Sequence, residues 1–136
     1  MSDIRKEKFT ERNRFVIQEH HASHLHWDLR LELDGVLKSW AIPKEPCKVP
    51  GKKYLAIQVE DHDLGYIDFE GEIEEGHYGA GQVILWDNGT FDLIERSKNK
   101  VIFTIHSNKL KGDFCLIRFP KAGEKQWLFF KKKTKT

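Results

Sequence analysis

The sequence predicts a mostly all-β protein, a small antiparallel β-barrel of about eight strands with one polar active-site wall. Short runs of alternating or apolar residues follow one another from Phe15 to Lys131, with no long helical periodicity. Turn pairs punctuate them: Asp34-Gly35, Pro50-Gly51, Asn88-Gly89, Lys111-Gly112 and Ala122-Gly123. Aromatic residues form 12% of the 136 residues, and such side chains favour strands. Closure removes exposed edges and leaves a pocket at the barrel mouth or on its concave wall.

Residues 1–14 are polar and weakly patterned, and read as a flexible N-terminal arm. The barrel domain then spans residues 15–131, with a basic tail at 132–136. The β-like runs fall at 15–20, 25–33, 36–42, 54–61, 82–87, 90–95, 101–107, 114–119 and 127–131. Asp34-Gly35 is a strong two-residue hairpin signal. It pairs Leu33 with Val36, Leu31 with Lys38, Leu29 with Trp40 and Trp27 with Ile42 on one apolar face. On the other face Arg30 falls beside Ser39 and Asp28 beside Ala41, so the neighbours of the polar row are small.

Composition limits the function classes. The net charge of +2 does not by itself indicate nucleic acid, although lysines cluster at Lys48, Lys52 and Lys53 and again at Lys131, Lys132, Lys133 and Lys135. Apolar runs such as 83–86 are too short to cross a bilayer, so no membrane role is expected. Cys47 and Cys115 lie far apart without a CxxC partner. They imply neither a zinc ribbon nor a disulfide framework, and fit a reducing, cytoplasmic setting.

The stretch HLHWDLRLELDG, residues 24–35, carries the chemistry. From Leu25 onward it alternates, so His26, Asp28, Arg30 and Glu32 share one strand face. His26 and Asp28, one pleat apart, can reach a single ion. His20, in phase with Val16 and Gln18 on the preceding run, can arrive across the loop as a third ligand. Two imidazoles and a carboxylate suit Mn, Fe(II) or Zn. His21 and His24 read as loop residues. Arg30 offers a guanidinium fork for phosphate oxygens, the alternative being a salt bridge to Glu32 or Glu19. Glu32 reads as a group that orients Arg30 or a histidine.

A second cluster, VEDHDLGYIDFEG, places His62 and Tyr66 four apart in a loop-like stretch. Both can hydrogen-bond a phosphate, and a satisfied surface histidine fits equally well. A third, EEGHYGAGQVILW, has a glycine-rich turn without the GK[ST] of a phosphate loop, and reads as a tight β-turn carrying His77 and Tyr78.

The run RFVIQEHHASHLHWDLRLELDGVLKSWAIPKEP resembles the 3′-phosphoesterase domain of bacterial DNA ligase D and its stand-alone archaeal relatives. VEDHDLGYIDFEGEIEEGHYGAGQVILWDNGT, LKGDFCLIRF and QWLFFKK are similar to that family's later blocks, and the likeness runs from Arg14 to about Lys131. The resemblance implies a barrel enzyme that heals DNA 3′ ends with manganese, or with another divalent transition metal such as cobalt or zinc. A phosphodiesterase step would remove a 3′-terminal ribonucleoside. A phosphomonoesterase step would then remove the remaining 3′-phosphate and leave a 3′-OH. By position it implies His20, His26 and Asp28 as metal ligands. Arg30, His62 and Tyr66 would be the catalytic, phosphate-binding groups, with Gln18 and Lys44 lining the site and contacting the substrate. The expected partners are DNA or RNA-tipped DNA 3′ ends in primer-template form, with a ligase and a polymerase acting in trans.

The sequence departs from the family pattern at two places. Tyr54 stands where the family has a basic residue, with Lys52 and Lys53 just upstream, and the arm ahead of the barrel offers Arg5, Glu7, Glu11 and Arg12 at shortened spacing. Two other readings fit parts of the sequence. A non-catalytic β-barrel nucleic-acid-binding module explains the aromatics and lysines. A non-haem Fe(II) oxygenase would use His26, Asp28 and a distant His106, with Arg118 as an anchor.

Overall fold

The computed structural model describes residues 13–77 and 80–133. The expected arm over residues 1–12, the end of the basic tail at 134–136, and Tyr78 lie outside the described residues. The strands are β1 (Asn13–His21), β2 (Leu25–Leu33), β3 (Val36–Ile42), β4 (Tyr54–His62), β5 (Gly71–Ile73), β6 (Gly81–Ser97), β7 (Lys100–His106), β8 (Gly112–Arg118) and β9 (Gln126–Lys131). They follow one another in space as β1-β2-β3-β4-β9-β8-β7-β6, and β6 pairs back with β1 to close an eight-stranded barrel. The three-residue β5 adds to the first part of β6. All these ladders are antiparallel.

Three boundaries differ from the sequence expectation. Asn13 and Arg14 belong to β1, not to an arm. The short β5 was not foreseen, because three residues cannot display a period of two. Runs 82–87 and 90–95 are one strand of 17 residues, so Asn88-Gly89 is not a hairpin turn. Glycine stands there because a Cβ at Gly89 would lie 2.2 Å from the His106 carbonyl oxygen. It permits a close approach to the β7 backbone, which in local sequence looks the same as a turn.

The β2–β3 register is the expected one, with Arg30 opposite Ser39 and Asp28 opposite Ala41. Asp34 and Gly35 both take positive φ, 57° and 79°, as a primed hairpin turn requires. Arg96 on β6 grips the Asp34 carboxylate with two hydrogen bonds of 2.8 and 2.7 Å, fixing the hairpin tip to a strand on the other side of β1.

The interior is filled. Phe15, Ile17, Leu29, Leu31, Trp40, Phe91, Phe103, Phe114 and Phe129 are buried in one cluster, where a side chain of that size stabilises by roughly 1.5–3 kcal/mol. A smaller cluster of Val16, Leu37 and Ile67, with Tyr66 and Leu85 against it, covers the opposite face of the β1–β2–β3 wall. β2 is therefore buried on both faces at its centre, and the polar row lies between the wall and this outer cover. Cys47 and Cys115 are both free thiols. No helix among the described residues is long and apolar enough to cross a membrane.

Candidate active site

The polar row and the segment after β4 form one groove of about 410 Å³ on the outer face of the wall. His20, His26, Asp28, Arg30, His62 and Tyr66 all line it, together with Ala41, Glu60 and Asp61. The interior is packed with apolar side chains, so this face is where the wall has room.

His20 and His26 are direct cross-strand partners on β1 and β2, so the tight hairpin between them brings the two imidazoles face to edge at 4.8 Å. Their ligand atoms and the Asp28 carboxylate all lie within 4.8 Å of one another. His26 Nε2 is 3.2 Å from each Asp28 oxygen, and His20 Nδ1 is 3.5 Å from Oδ2. Ligands about 2.1 Å from a shared ion and at roughly right angles lie about 3 Å apart, so the separations of both imidazoles from Asp28 suit one metal. The His24 carbonyl accepts from His26 Nδ1 at 3.0 Å, which leaves the Nε2 lone pair facing the carboxylate. A lone pair facing an anion calls for a cation between them. A proton can take that place, and the Asp28 hydrogen bond accordingly raises His26 above its ordinary value against the effect of burial. Burial also opposes the charged form of Asp28. Hydrogen bonds from His20 and His26, with the Arg30 charge behind them, overcome it and hold the carboxyl well below the usual carboxylate range.

Arg30 is buried, and its orientation is fixed by several contacts. Nε donates to Gln18 Oε1 at 2.6 Å and Nη1 to Ser39 Oγ at 2.7 Å. Nη2 reaches Asp28 Oδ2 at 3.5 Å, and the guanidinium lies 4.9 Å from the centre of the Tyr66 ring. These contacts replace the alternative salt bridge to Glu32 or Glu19. They employ three of its five N–H groups, leaving one on each terminal nitrogen for an oxyanion.

Tyr66 lies in a 3₁₀ turn, Leu64–Asp68, between the His62 ring at 4.5 Å and the Phe69 ring at 5.0 Å. Burial, followed by the Arg30 charge, lowers His62 below its ordinary value, so its imidazole is neutral at pH 7 in the free protein. Burial raises the Tyr66 phenol, which keeps its proton and remains a donor.

Three expected residues do other work. Gln18 is entirely buried, and its amide donates to the Tyr66 and Phe69 carbonyls at 3.1 and 3.2 Å. It braces Arg30 against the turn. Glu32 accepts from the Arg14 backbone N–H at 3.0 Å and orients neither Arg30 nor a histidine. Lys44 is exposed beyond β3 and is not among the residues lining the groove. Nor do lysines replace the family's basic residue at Tyr54. Tyr54 is buried in the core, its hydroxyl donating to Cys47 Sγ at 2.9 Å and pushed up to about 12 by burial. Lys52 lies over the Tyr54 ring and Lys53 over Phe130. His21 is paired with Glu19 at 2.6 Å and His106 with Asp92 at 2.8 Å, so the oxygenase triad through His106 does not assemble. Arg118 donates to the Glu124 carbonyl at a different cavity.

Sequence reasoning missed Phe69, Glu60 and Asp61. Asp61 is held by Lys38 at 3.0 Å, a contact between two strands whose register slips by one residue at that point. No local pattern announces it.

A family model described as the DNA ligase D 3′-phosphoesterase domain matches residues 18–118. The chain is 50% identical over 126 residues to the multifunctional non-homologous end joining protein LigD of Pseudomonas aeruginosa, covering 88% of this chain and 15% of that protein. It is 49% identical over 110 residues to the multifunctional non-homologous end joining DNA repair protein LigD of Mycobacterium tuberculosis, covering 78% and 14%. It is 41% identical over 127 residues to its counterpart in Mycolicibacterium smegmatis, covering 85% and 16%. The chain thus spans only about one-seventh of the length of these curated relatives.

Proposed function

The chain belongs to the DNA ligase D 3′-phosphoesterase domain family, and from that premise we propose that it is a metal-dependent enzyme that heals DNA 3′ ends for end joining. It removes a 3′-terminal ribonucleoside and then the 3′-phosphate left behind, giving a 3′-OH that a ligase or polymerase can use. The observation that carries this reading is the convergence in one groove of the His20–His26–Asp28 donor set with Arg30 and the His62–Tyr66 pair.

His20, His26 and Asp28 would hold the metal. Two imidazoles and a carboxylate can hold a divalent transition metal; manganese is the ion proposed, with cobalt or zinc as alternatives. When bound, the ion supplies Lewis-acid polarisation of a phosphate oxygen. The free N–H groups of Arg30 meet the other non-bridging oxygens, where negative charge grows in the transition state. Gln18 and Ser39 keep the guanidinium from rotating away. The Tyr66 hydroxyl offers one further donor.

In the first step water adds to phosphorus and the bond to the 5′-oxygen of the terminal ribonucleoside breaks. That oxygen leaves with a proton, and the DNA keeps a 3′-phosphate. In the second step water again adds, the bond to the 3′-oxygen breaks, and inorganic phosphate departs. His62 is placed to deliver the proton to each leaving oxygen. Its neutral resting state means that it takes up this proton after the phosphate has bound.

The test is manganese dependence of 3′-phosphate release from a primer-template, in the parent protein and in His26→Ala. The parent should be silent in chelator and active with manganese, and the variant silent in both. Full activity of the variant under limiting manganese would remove the ligand assignment.

A further inference from the structure

A second cavity, of about 370 Å³, opens at the barrel mouth near the β2–β3 hairpin end. It is the mouth pocket that barrel closure predicts, but it lies away from the histidines. Trp40 and Trp127 line its depth, packed edge to face at 5.7 Å. Five cationic side chains surround it: Lys38, Arg96, Lys98, Arg118 and Lys125. Glu124 is the one carboxylate among its lining residues. Lys38 and Arg96 are neutralised by Asp61 and Asp34. Arg118 binds only neutral acceptors, the Glu124 carbonyl at 2.8 Å and Asn99 Oδ1 at 3.4 Å. Lys98 and Lys125 have no carboxylate partner among the described residues. One rim thus carries three cations without a carboxylate partner against the single Glu124 carboxylate, a net of two positive charges.

The two cavities adjoin. Asp61 lines the groove, Lys38 lines the mouth, and their ion pair joins the two rims. Along β2, Arg30 in the groove and Leu33 at the mouth are three extended residues, about 10 Å, apart. A nucleic-acid strand covers that distance in about three nucleotides.

We propose that the mouth cavity is a second, sequence-independent DNA site, in which Lys98, Arg118 and Lys125 hold backbone phosphates about three or more nucleotides from the 3′ end in the groove. The proposal rests on the end-healing reading for its orientation but not for its chemistry. Phosphate oxygens meet the cations, and the buried tryptophans offer no ring face for base stacking, so no base preference arises.

The test is Lys98→Ala/Lys125→Ala, two exposed positions whose change leaves the core intact. Fluorescence anisotropy is read with a long primer-template bearing an ordinary 3′-OH, in chelator, over a range of salt. The variant should bind about tenfold more weakly at low salt, and its log–log salt slope should fall by about two. A 3′-phosphorylated dinucleotide is too short to reach the mouth, so the two proteins should bind it alike and release its phosphate at the same rate. An unchanged slope on the long duplex would overturn the proposal. An equal loss in the charge-matched control Lys48→Ala/Lys111→Ala would overturn it too, assigning the effect to net charge. Failure of all 3′ chemistry would remove the end-healing reading alone, since the anisotropy measurement involves no cleavage.

Discussion

Arg30 Nε donates to Gln18 Oε1 at 2.6 Å, and the same glutamine donates to the Tyr66 and Phe69 carbonyls. One buried side chain thus sets the distance between the groove-lining guanidinium and the turn that carries Tyr66. Replacing Gln18 with Leu leaves an arginine N–H and two carbonyls without partners. A stability loss of about 2–4 kcal/mol is expected by urea unfolding. In the fraction that folds, kcat on a 3′-phosphate primer should fall while KM changes little. A purely structural role would lower stability and leave kcat per folded molecule intact.

Arg30→Lys tests the fork itself. Lysine keeps the charge but cannot hold Gln18, Ser39 and a phosphate oxygen together. About a hundredfold loss in kcat is expected, the scale of losing one transition-state donor. A variant within a fewfold of the parent would show that charge alone suffices.

The depressed pKa of His62 makes a prediction about stability. Burial, then the Arg30 charge, places its folded value below the unfolded 6.5. Between those two values the unfolded chain binds more protons, so stability rises with pH in that window and is lost as pH falls through it. In chelator, the urea midpoint of the parent should drop relative to His62→Gln between about pH 8 and about pH 5.5. A difference that stays constant over that range would place the histidine at its ordinary value.

Gly89→Ala tests the close packing of β6 on β7. The new methyl would meet the His106 carbonyl oxygen at 2.2 Å, and backbone there must shift. A loss of about 1–3 kcal/mol is expected, the scale of overpacking. Gly65→Ala, with nothing within 4 Å, should fall within about 0.5 kcal/mol of the parent. Equal effects at the two positions would contradict the close approach of Gly89 to the His106 carbonyl.

What was legible in the sequence was what repeats or turns locally. Alternation put His26, Asp28 and Arg30 on one face, and Asp34-Gly35 fixed the register that places Ser39 beside the arginine. Parity on the preceding run aimed His20 at the same point, where the structure finds it paired with His26. What was not legible depended on distant chain. Gln18 looked like a lining residue because its acceptors lie 48 and 51 positions away. Glu32 looked like a partner for Arg30 because both share a face, yet β1 begins early enough to offer it a backbone N–H. β6 read as two strands because its bulge and its glycine resemble an interruption.

The central claim is that this groove performs two metal-dependent cleavages in sequence. The direct measurement is a time course on a primer-template ending in a single 3′-ribonucleotide, with manganese and with chelator. The predicted result is a primer shortened by one nucleoside and carrying a 3′-phosphate, followed by the same primer with a 3′-OH, both absent in chelator. A primer that binds but stays unchanged across manganese, cobalt and zinc would contradict the account and leave a nucleic-acid-binding barrel in its place.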